Sequence, residues 1–340
     1  MIVFKVIRNL LIAATVSVVV IIIAMVTLSG PYTKPELNEP ESLPPPPLEE
    51  LLPSGLRVDR VLLHLLDGTE VLEMSMERYL IGVTAAEMPA GFPIEALKAQ
   101  VVAARTMVLY NTLVSTKPRH PEVSVCTDFN CCMAYSSDEQ LRDKWGESYT
   151  ENILRIINAV VDTDGLYMTY GSEPILAVFH SSSAGKTESS GDVWLTALPY
   201  LVCVGSPESG IDVPDYVSTV TKSFSEFIET ITDAYPNAVF DDDAASWISE
   251  ITYTPSGRIS ELVIGGVTVK GTVLRSMFNL RSTAIVIEFH NGETIFTVTG
   301  YGHGVGMSQY GAASMARDGK TYRDILSAYY SRISFSLFSV

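Results

Sequence analysis

Charged residues are scarce in this chain, and positively charged ones are the scarcest. They make up 18% of the 340 residues, and 23 Lys and Arg stand against 39 Asp and Glu, for a formal net charge of −16. Nucleic acids and teichoic acids are polyanions that need a basic surface, so this balance argues against both as ligands. Soluble domains carry about 25% charged residues, and the shortfall indicates that part of the chain meets lipid.

Motifs of several common protein classes are also missing. The glycine-rich stretch at 300–306 fits neither the P-loop nor the G-x-G-x-x-G spacing, which excludes a phosphate-binding loop there. The acidic run at 241–243 is not followed by an EF-hand pattern, which favours a solvated turn. A serine-hydrolase elbow centred on Ser183 is excluded because Ser181 stands where a glycine is needed.

The N-terminal region contains a long apolar run. Residues 9–29 carry no charge and are long enough for a helix that crosses a bilayer. Lys5 and Arg8 precede the run and an acidic segment follows it, so the positive-inside rule places residues 1–8 in the cytoplasm. The alternative is a cleaved signal peptide, which is less favoured because the run is longer than an h-region and no Ala-x-Ala site follows. The sequence therefore predicts a single-pass protein of the cell membrane with its remaining residues outside.

Two further segments follow the predicted anchor. Residues 30–56 are proline-rich and lack apolar periodicity, which is typical of a semi-rigid linker. Residues 57–340 then alternate helical patterns with short strands, and about 212–299 is mostly strands separated by turns. We predict an α+β fold: a helical catalytic core with short mixed or antiparallel sheets and a β-rich peripheral lobe, preceded by one transmembrane helix.

A lone carboxylate stands out at the end of the first predicted helix of this domain. Ser75 is a suitable N-cap, and the helix ends at Met88 because Pro89 disfavours helix in the residue before it. Glu87 thus lies at a helix terminus between small and apolar neighbours. Burial there would raise the pKa of Glu87 and keep it protonated, as a general acid requires. The alternative is a glutamate exposed at a frayed helix end.

A compact set of metal ligands lies further along the chain. His120, Cys126, Cys131 and Cys132 supply the imidazole and thiolates of a closed tetrahedral zinc site. Such a site leaves no position for a catalytic water, so zinc would be structural. A disulfide from Cys126 to Cys131 or Cys132 is the alternative, because the domain is expected outside the cytoplasm.

Two polar stretches complete the candidate site. A strand predicted at Ile175–His180 leads into Ser181 and Ser182, whose hydroxyls suit a sugar-like ligand, although a serine-rich turn explains them equally well. In the stretch 300–311, alternating glycines let the backbone approach a ligand closely. Its polar and stacking side chains are those of His303, Ser308, Gln309 and Tyr310.

Four segments together resemble a known family. They are AAEMP at 85–89 and the segments 95–109, 179–194 and 300–312. In this order they are similar to the stage II sporulation protein D family, which includes membrane-anchored lytic transglycosylases of endospore-forming bacteria and the amidase enhancers. The resemblance implies cleavage of peptidoglycan glycan strands already stripped of stem peptides, during engulfment of the forespore. It also implies a cell-wall amidase and membrane proteins of the engulfment complex as partners, and no cofactor for catalysis.

The resemblance also assigns roles to residues. The family's catalytic glutamate falls on Glu87, and several members bind zinc, with Cys131 here in place of a histidine. The residues that match its cleft are Lys98, Arg105, His180, Ser181, Ser182, His303, Ser308, Gln309 and Tyr310.

One carboxylate is enough for a lytic transglycosylase. Ordinary glycosidases use two, whereas here the substrate's own C6 hydroxyl replaces the second at high effective concentration. Lys98 and Arg105 share a helix face and would hold the muramyl lactyl carboxylate, or equally form salt bridges with acids such as Glu95. A non-enzymatic glycan-binding scaffold that activates an amidase remains the alternative. A zinc hydrolase is less favoured because the cysteines fill the metal's coordination sites.

Overall fold

The computed structural model describes residues 46, 48–52, 60–64, 71–115, 123, 125–128, 131–194 and 196–338. The chain divides into residues 1–45 and 46–340, and every described residue belongs to the second unit. The predicted cytoplasmic segment, transmembrane anchor and most of the linker therefore lie outside the described residues, as does His120. No helix within the described ranges has both the length and the hydropathy to cross a bilayer.

The first half of the described unit is mainly helical. Its elements are α1 (Leu48–Leu51), β1 (Arg60–His64), β2 (Val71–Ser75), α2 (Met76–Glu87), α3 (Ile94–Leu113), β3 (Val125–Cys126), α4 (Asp138–Trp145), α5 (Tyr149–Asp162), β4 (Leu166–Tyr170), β5 (Glu173–Pro174), β6 (Phe179–His180) and α6 (Ser190–Val193).

The second half is richer in strands and ends in two helices. Its elements are β7 (Val217–Ser223), α7 (Phe224–Ala234), β8 (Ile248–Tyr253), β9 (Ile259–Ile264), β10 (Val267–Lys270), α8 (Gly271–Met277), β11 (Ile285–His290), β12 (Glu293–Thr299), β13 (Met307–Ser308), α9 (Gln309–Arg317), α10 (Tyr322–Tyr329) and β14 (Ser334–Leu337). The mixed α and β content with several short sheets confirms that part of the predicted fold.

Helix α3 forms the centre of the main hydrophobic core. It is apolar on nearly all sides, with residues such as Leu97, Val101 and Val108 fully buried, which is typical of a helix enclosed by other elements. Helices α2, α5, α9 and α10 and strand β4 all pack against it. Helices α2 and α9 therefore both lie beside this central helix.

The strands form small sheets. In the first sheet β1 pairs with β2 antiparallel and with β3 parallel, and in another β4 pairs antiparallel with β5 and β14. Of the predicted strand Ile175–His180, only β6 pairs in a sheet, in parallel with β13, so that Phe179 lies opposite Met307 and His180 opposite Ser308. This short pair brings the serine stretch next to the glycine-rich stretch.

A second hydrophobic core lies within β7 to β12. Two three-stranded sheets, ordered β11-β12-β7 and β10-β9-β8, pack with α7 and α8 around Phe227, Trp247 and Phe296. This lobe begins and ends side by side, because the Gly300 amide donates to the Tyr216 carbonyl at 2.8 Å. It lies inside the segment 212–299 for which the sequence predicts a β-rich lobe.

Candidate active site

Glu87 is the last residue of α2. The helix begins after Ser75, whose hydroxyl accepts a hydrogen bond from the Arg78 amide at 3.2 Å, as its N-cap pattern predicts. It ends because Met88 is extended before Pro89, while the Met88 amide still donates to the Thr84 carbonyl at 3.0 Å. The carboxyl group is thereby placed at a fixed helix end and is partly buried.

Three influences set the acidity of Glu87. Burial raises its pKa above the ordinary value, because the charged form loses hydration. Two hydrogen bonds act in the opposite direction: the Ala134 amide donates to Oε1 at 2.7 Å, and the Gln309 side chain also bonds the carboxyl group. Desolvation is the larger effect, so the pKa of Glu87 is raised overall, and the site already contains donors for its carboxylate.

Glu87 opens into a cavity of about 510 Å³. Three aromatic side chains line it: Trp145, Phe92 and Tyr310, and the rings of the last two meet edge to face with centroids 5.0 Å apart. Asn152 adds a polar group to the lining. Among the described residues that line the cavity, Glu87 is the one carboxylate.

Three of the sequence-predicted ligand-binding residues line this cavity. They are Ser181, Gln309 and Tyr310. The Tyr310 amide donates to the Ser181 carbonyl at 3.0 Å, which ties the serine stretch to the start of α9. The cavity is therefore assembled from the end of α2, the loop between α2 and α3, the end of α4, one residue of α5, the serine stretch and the first residues of α9.

The two histidines that the sequence assigns to the site, His180 and His303, form hydrogen bonds with other groups of the protein. His180 is buried between the Val305 carbonyl, 3.2 Å from Nδ1, and the Ser183 hydroxyl, 2.7 Å from Nε2. His303 accepts from the Val305 amide at Nδ1 over 3.1 Å, and burial with nearby Arg275 lowers the pKa of His303 to about 4. Burial likewise holds the pKa of His180 well below its usual value, so both rings stay neutral. Both rings hold the glycine-rich stretch in place through Val305, and neither ring lines the cavity.

Ser182 and Ser308 are also buried. Ser308 is the N-cap of α9, accepting from the Gly311 amide at 3.1 Å, and its hydroxyl donates to Glu208 Oε1 at 2.5 Å. The same Glu208 oxygen accepts from the Ser183 amide at 2.6 Å. Glu208 thus joins the serine stretch to the cap of α9, a role that no motif in its loop indicates.

The two cations expected in the cleft lie outside the cavity lining, and this corrects the expectation. Arg105 is buried, and its guanidinium donates to the Thr163 and Leu166 carbonyls at 2.8 and 3.0 Å. Lys98 pairs with Glu95 at 2.9 Å and Asp162 at 3.0 Å. Their shared helix face is covered by the rest of the fold, so the salt-bridge alternative applies to Lys98, whereas Arg105 ties α3 to the segment after α5.

Instead, the structure places Lys144 and Trp145 of α4 in the cavity lining. Neither belongs to a motif that the sequence singles out. Helix α4 packs against α5, and Lys144 Nζ reaches the last turn of α2, where it donates to the Ala85 carbonyl at 3.3 Å. Such a placement depends on tertiary packing, which local patterns do not encode.

The cysteine loop forms a compact cluster. The sulfur atoms of Cys126, Cys131 and Cys132 all lie within 4.8 Å of one another, and each is a free thiol. Zn–S bonds of about 2.3 Å in a tetrahedral site put sulfurs roughly 3.8 Å apart, so this donor set fits zinc. The Cys131 and Cys132 amides both donate to the Asp128 carbonyl, which folds the loop.

The fold and site define an α+β protein with a single-acid cavity walled by aromatic rings. The family described as "Stage II sporulation protein" matches residues 67–170. A stage II sporulation protein D of Bacillus subtilis (strain 168) is 39% identical over 268 residues, which cover 78% of this chain and 76% of that protein. An amidase enhancer of the same organism is 28% identical over 298 residues, covering 74% of this chain and 39% of the relative.

A second stage II sporulation protein D, from Bacillus amyloliquefaciens, is 38% identical over 266 residues, with 78% of this chain and 75% of the relative covered. The chain belongs to the stage II sporulation protein D family.

Proposed function

We propose that the protein is a peptidoglycan lytic transglycosylase that acts in sporulation. Its substrate would be glycan strands stripped of stem peptides, cut at the bond from N-acetylmuramic acid to N-acetylglucosamine during forespore engulfment. The observation that carries this is the single carboxylate, Glu87, among the described residues of the cavity lining. A hydrolase with two carboxylates would need a second one on the opposite side of the bond.

In this reaction Glu87 acts first as acid and then as base. The protonated carboxyl donates its proton to the glycosidic oxygen as the bond to the muramyl C1 breaks. The muramyl C6 hydroxyl then attacks C1, and the Glu87 carboxylate takes the proton from that hydroxyl. The product carries a 1,6-anhydro bond, and Glu87 is again protonated, so no water is consumed.

The hydrogen bonds to Glu87 fit both halves of this cycle. Burial favours the protonated resting state, which holds the proton that the leaving oxygen requires. When the proton has left, the donors from Ala134 and Gln309 already face the carboxylate. Because these donors are in place beforehand, little reorganisation is needed as charge develops.

The cavity walls are suited to carbohydrate. Trp145, Phe92 and Tyr310 present aromatic surfaces to the apolar faces of sugar rings, and Asn152 and Ser181 offer hydrogen bonds to hydroxyl and acetamido groups. We infer that these five residues hold the two sugars on either side of the bond that is cut.

A second candidate function is a glycan-binding scaffold that activates a cell-wall amidase. The similarity to a protein named amidase enhancer favours it. In this case the cavity would bind glycan, and Glu87 would contact substrate without transferring a proton. A cell-wall amidase and membrane proteins of the engulfment complex are proposed partners under both functions.

The remaining segments are assigned by the same proposal. Residues 9–29 would anchor the protein in the cell membrane, with residues 1–8 in the cytoplasm and the domain outside. Zinc would be held by Cys126, Cys131 and Cys132 with His120 as fourth ligand, where it stiffens the loop after α3. The metal would take no part in the reaction.

Product analysis distinguishes the two functions. Wild-type protein incubated with peptide-free glycan strands should release fragments that end in 1,6-anhydro-N-acetylmuramic acid, one water lighter than hydrolysis products by mass spectrometry. Glu87→Gln keeps the shape but has no proton to donate, so the rate should fall by about 10²–10⁴-fold. Glu139→Gln, an exposed carboxylate of α4, is the matched control and should cleave normally.

Two other results would contradict the proposal. Reducing ends in place of anhydro ends would identify a hydrolase that activates water. No cleavage by the wild type, combined with stimulation of an amidase, would establish the scaffold function.

A further inference from the structure

Lys144 provides a positive charge at the cavity. It lies in the last turn of α4, is exposed, and lines the cavity next to Trp145. Among the described lining residues it is the one cation. Lys98 and Arg105 have partners elsewhere, so Lys144 is the lining side chain that can attract an anionic group of a ligand.

One hydrogen bond places the Lys144 ammonium at the helix end that carries Glu87. Nζ donates to the Ala85 carbonyl at 3.3 Å, and Ala85 lies two residues before Glu87 on the same helix end. Carbonyls in the last turn of a helix attract cations, which favours this position. The ammonium carries three N–H bonds and this contact uses one of them.

The proposed substrate carries one group that matches this charge. In an intact strand the muramyl lactyl group is joined to the stem peptide by a neutral amide. Removal of the peptide turns that amide into a free carboxylate, which is negative at neutral pH. A lysine recognises a single carboxylate as a compact point charge on a flexible stem and forms a charge-assisted hydrogen bond with it.

Building on the proposed glycan substrate, we propose that Lys144 binds the lactyl carboxylate of the muramyl residue and so selects strands whose stem peptides have been removed. It is a specificity-determining residue, whereas Glu87 performs the chemistry. Trp145, its neighbour, would hold the sugar ring that carries this group.

A merely structural role for Lys144 makes a different prediction. If the ammonium only caps α2 through Ala85, its removal would lower the stability of the protein and weaken the binding of all glycans equally. Recognition of the carboxylate instead predicts a loss confined to glycans that carry the negative charge. The ratio of two affinities, for charged and neutralised glycan, therefore separates the two roles.

The experiment measures binding of two glycans to the full chain carrying Glu87→Gln, which prevents turnover. One glycan is a peptide-free oligomer with free lactyl carboxylates, and the other is the same oligomer with each carboxylate converted to a methylamide. Lys144→Gln is added to remove the charge and Lys144→Arg to retain it. Lys320→Gln makes the same charge change at an exposed site outside the cavity lining.

Lys144→Gln should weaken binding of the carboxylate glycan about three- to tenfold, as expected for a charge-assisted contact at a partly exposed site, and leave the methylamide glycan unchanged. Lys144→Arg should bind the carboxylate glycan within about twofold of the parent. Lys320→Gln should match the parent with both glycans. A thermal unfolding scan of each variant should show that the fold is kept.

Other outcomes overturn the inference in distinguishable ways. Equal affinities of the parent and Lys144→Gln for the carboxylate glycan, or equal losses for both glycans, reject the role of Lys144 while wild-type cleavage still supports the transglycosylase. If binding depends on Lys144 but the wild type cleaves no glycan, the role of Lys144 is supported and the transglycosylase activity is rejected. No binding of either glycan to the parent rejects both.

Discussion

Gln309, the first residue of α9, hydrogen-bonds the carboxyl group of Glu87, the last residue of α2. The two residues are far apart in the chain and meet because both helices pack against α3. The α9 start is fixed in turn by the Ser308 cap, which Glu208 holds. One of the two donors that lower the pKa of Glu87 therefore depends for its position on a separate buried network.

Replacing Gln309 should change the pH dependence of cleavage. The Gln309 hydrogen bond lowers the pKa of Glu87, so Gln309→Ala should raise that pKa further. The limb of the rate profile on which the acid loses its proton should move to higher pH. The maximal rate should fall about 10- to 100-fold, because the carboxylate formed in the reaction loses a donor. Gln140→Ala, at an exposed helix cap, is the control, and an unshifted limb in Gln309→Ala would contradict the assignment.

Glu87→Gln should be more stable than wild type at neutral pH. The folded-state pKa of Glu87 is raised by burial, so its stabilising effect is fully present below the unfolded pKa and is lost as pH rises through the folded pKa. The amide does not titrate and avoids this loss. The difference in melting temperature between the variant and wild type should grow from acidic to neutral pH. A difference that shrinks with rising pH would instead indicate a lowered pKa of Glu87.

Arg105 and Lys98 should differ sharply in their contribution to stability. Arg105→Gln removes two buried hydrogen bonds from a charged donor and should lower the free energy of unfolding by about 3 kcal/mol. Lys98→Gln removes partly exposed ion pairs and should cost at most about 1 kcal/mol. Denaturant titration checks both values. If Lys98→Gln lost affinity for glycan without a change in stability, Lys98 would have to be counted among the ligand-binding residues.

The zinc proposal predicts one metal ion per chain. Protein purified without chelator should contain close to one zinc, and a strong chelator should lower the melting temperature. Cys126→Ser should no longer bind the metal, and its melting temperature should fall about as much as the chelator lowers that of the wild type. Cys203→Ser, outside the cluster, should keep the metal and the wild-type melting temperature. The rate of glycan cleavage per folded molecule should change little. A native disulfide among the three clustered cysteines would overturn the proposal.

Local patterns in the sequence predict those features of the site that depend on neighbouring residues. Ser75 caps α2 because its side-chain oxygen reaches the amide three residues ahead. Glu87 stands at a helix end because Pro89 follows closely. Helical spacing also places Lys98 and Arg105 on one face, but it does not say what covers that face.

Other features depend on packing between distant segments. Trp145 and Lys144 line the cavity because the tertiary fold brings the end of α4 within reach of the last turn of α2. The buried Glu208 carboxylate accepts hydrogen bonds from Ser183, Ser206 and Ser308, which lie in three separate stretches of the chain. No sequence pattern around Glu208 predicts these partners. In the predicted strand at Ile175–His180, a continuous apolar run suits an extended chain, yet only the last two residues belong to a paired strand.

The lobe of β7 to β12 has its own core and adjacent ends, so in evolution it can be gained, lost or exchanged as an inserted module without breaking the rest of the chain. One buried ion pair opposes such independence. Arg258 of the lobe lies 3.8 Å from Glu188 and donates to the Lys186 carbonyl at 2.9 Å, just after the serine stretch. An exchanged lobe would therefore have to bring a matching cation, because it would otherwise leave Glu188 as an uncompensated buried charge.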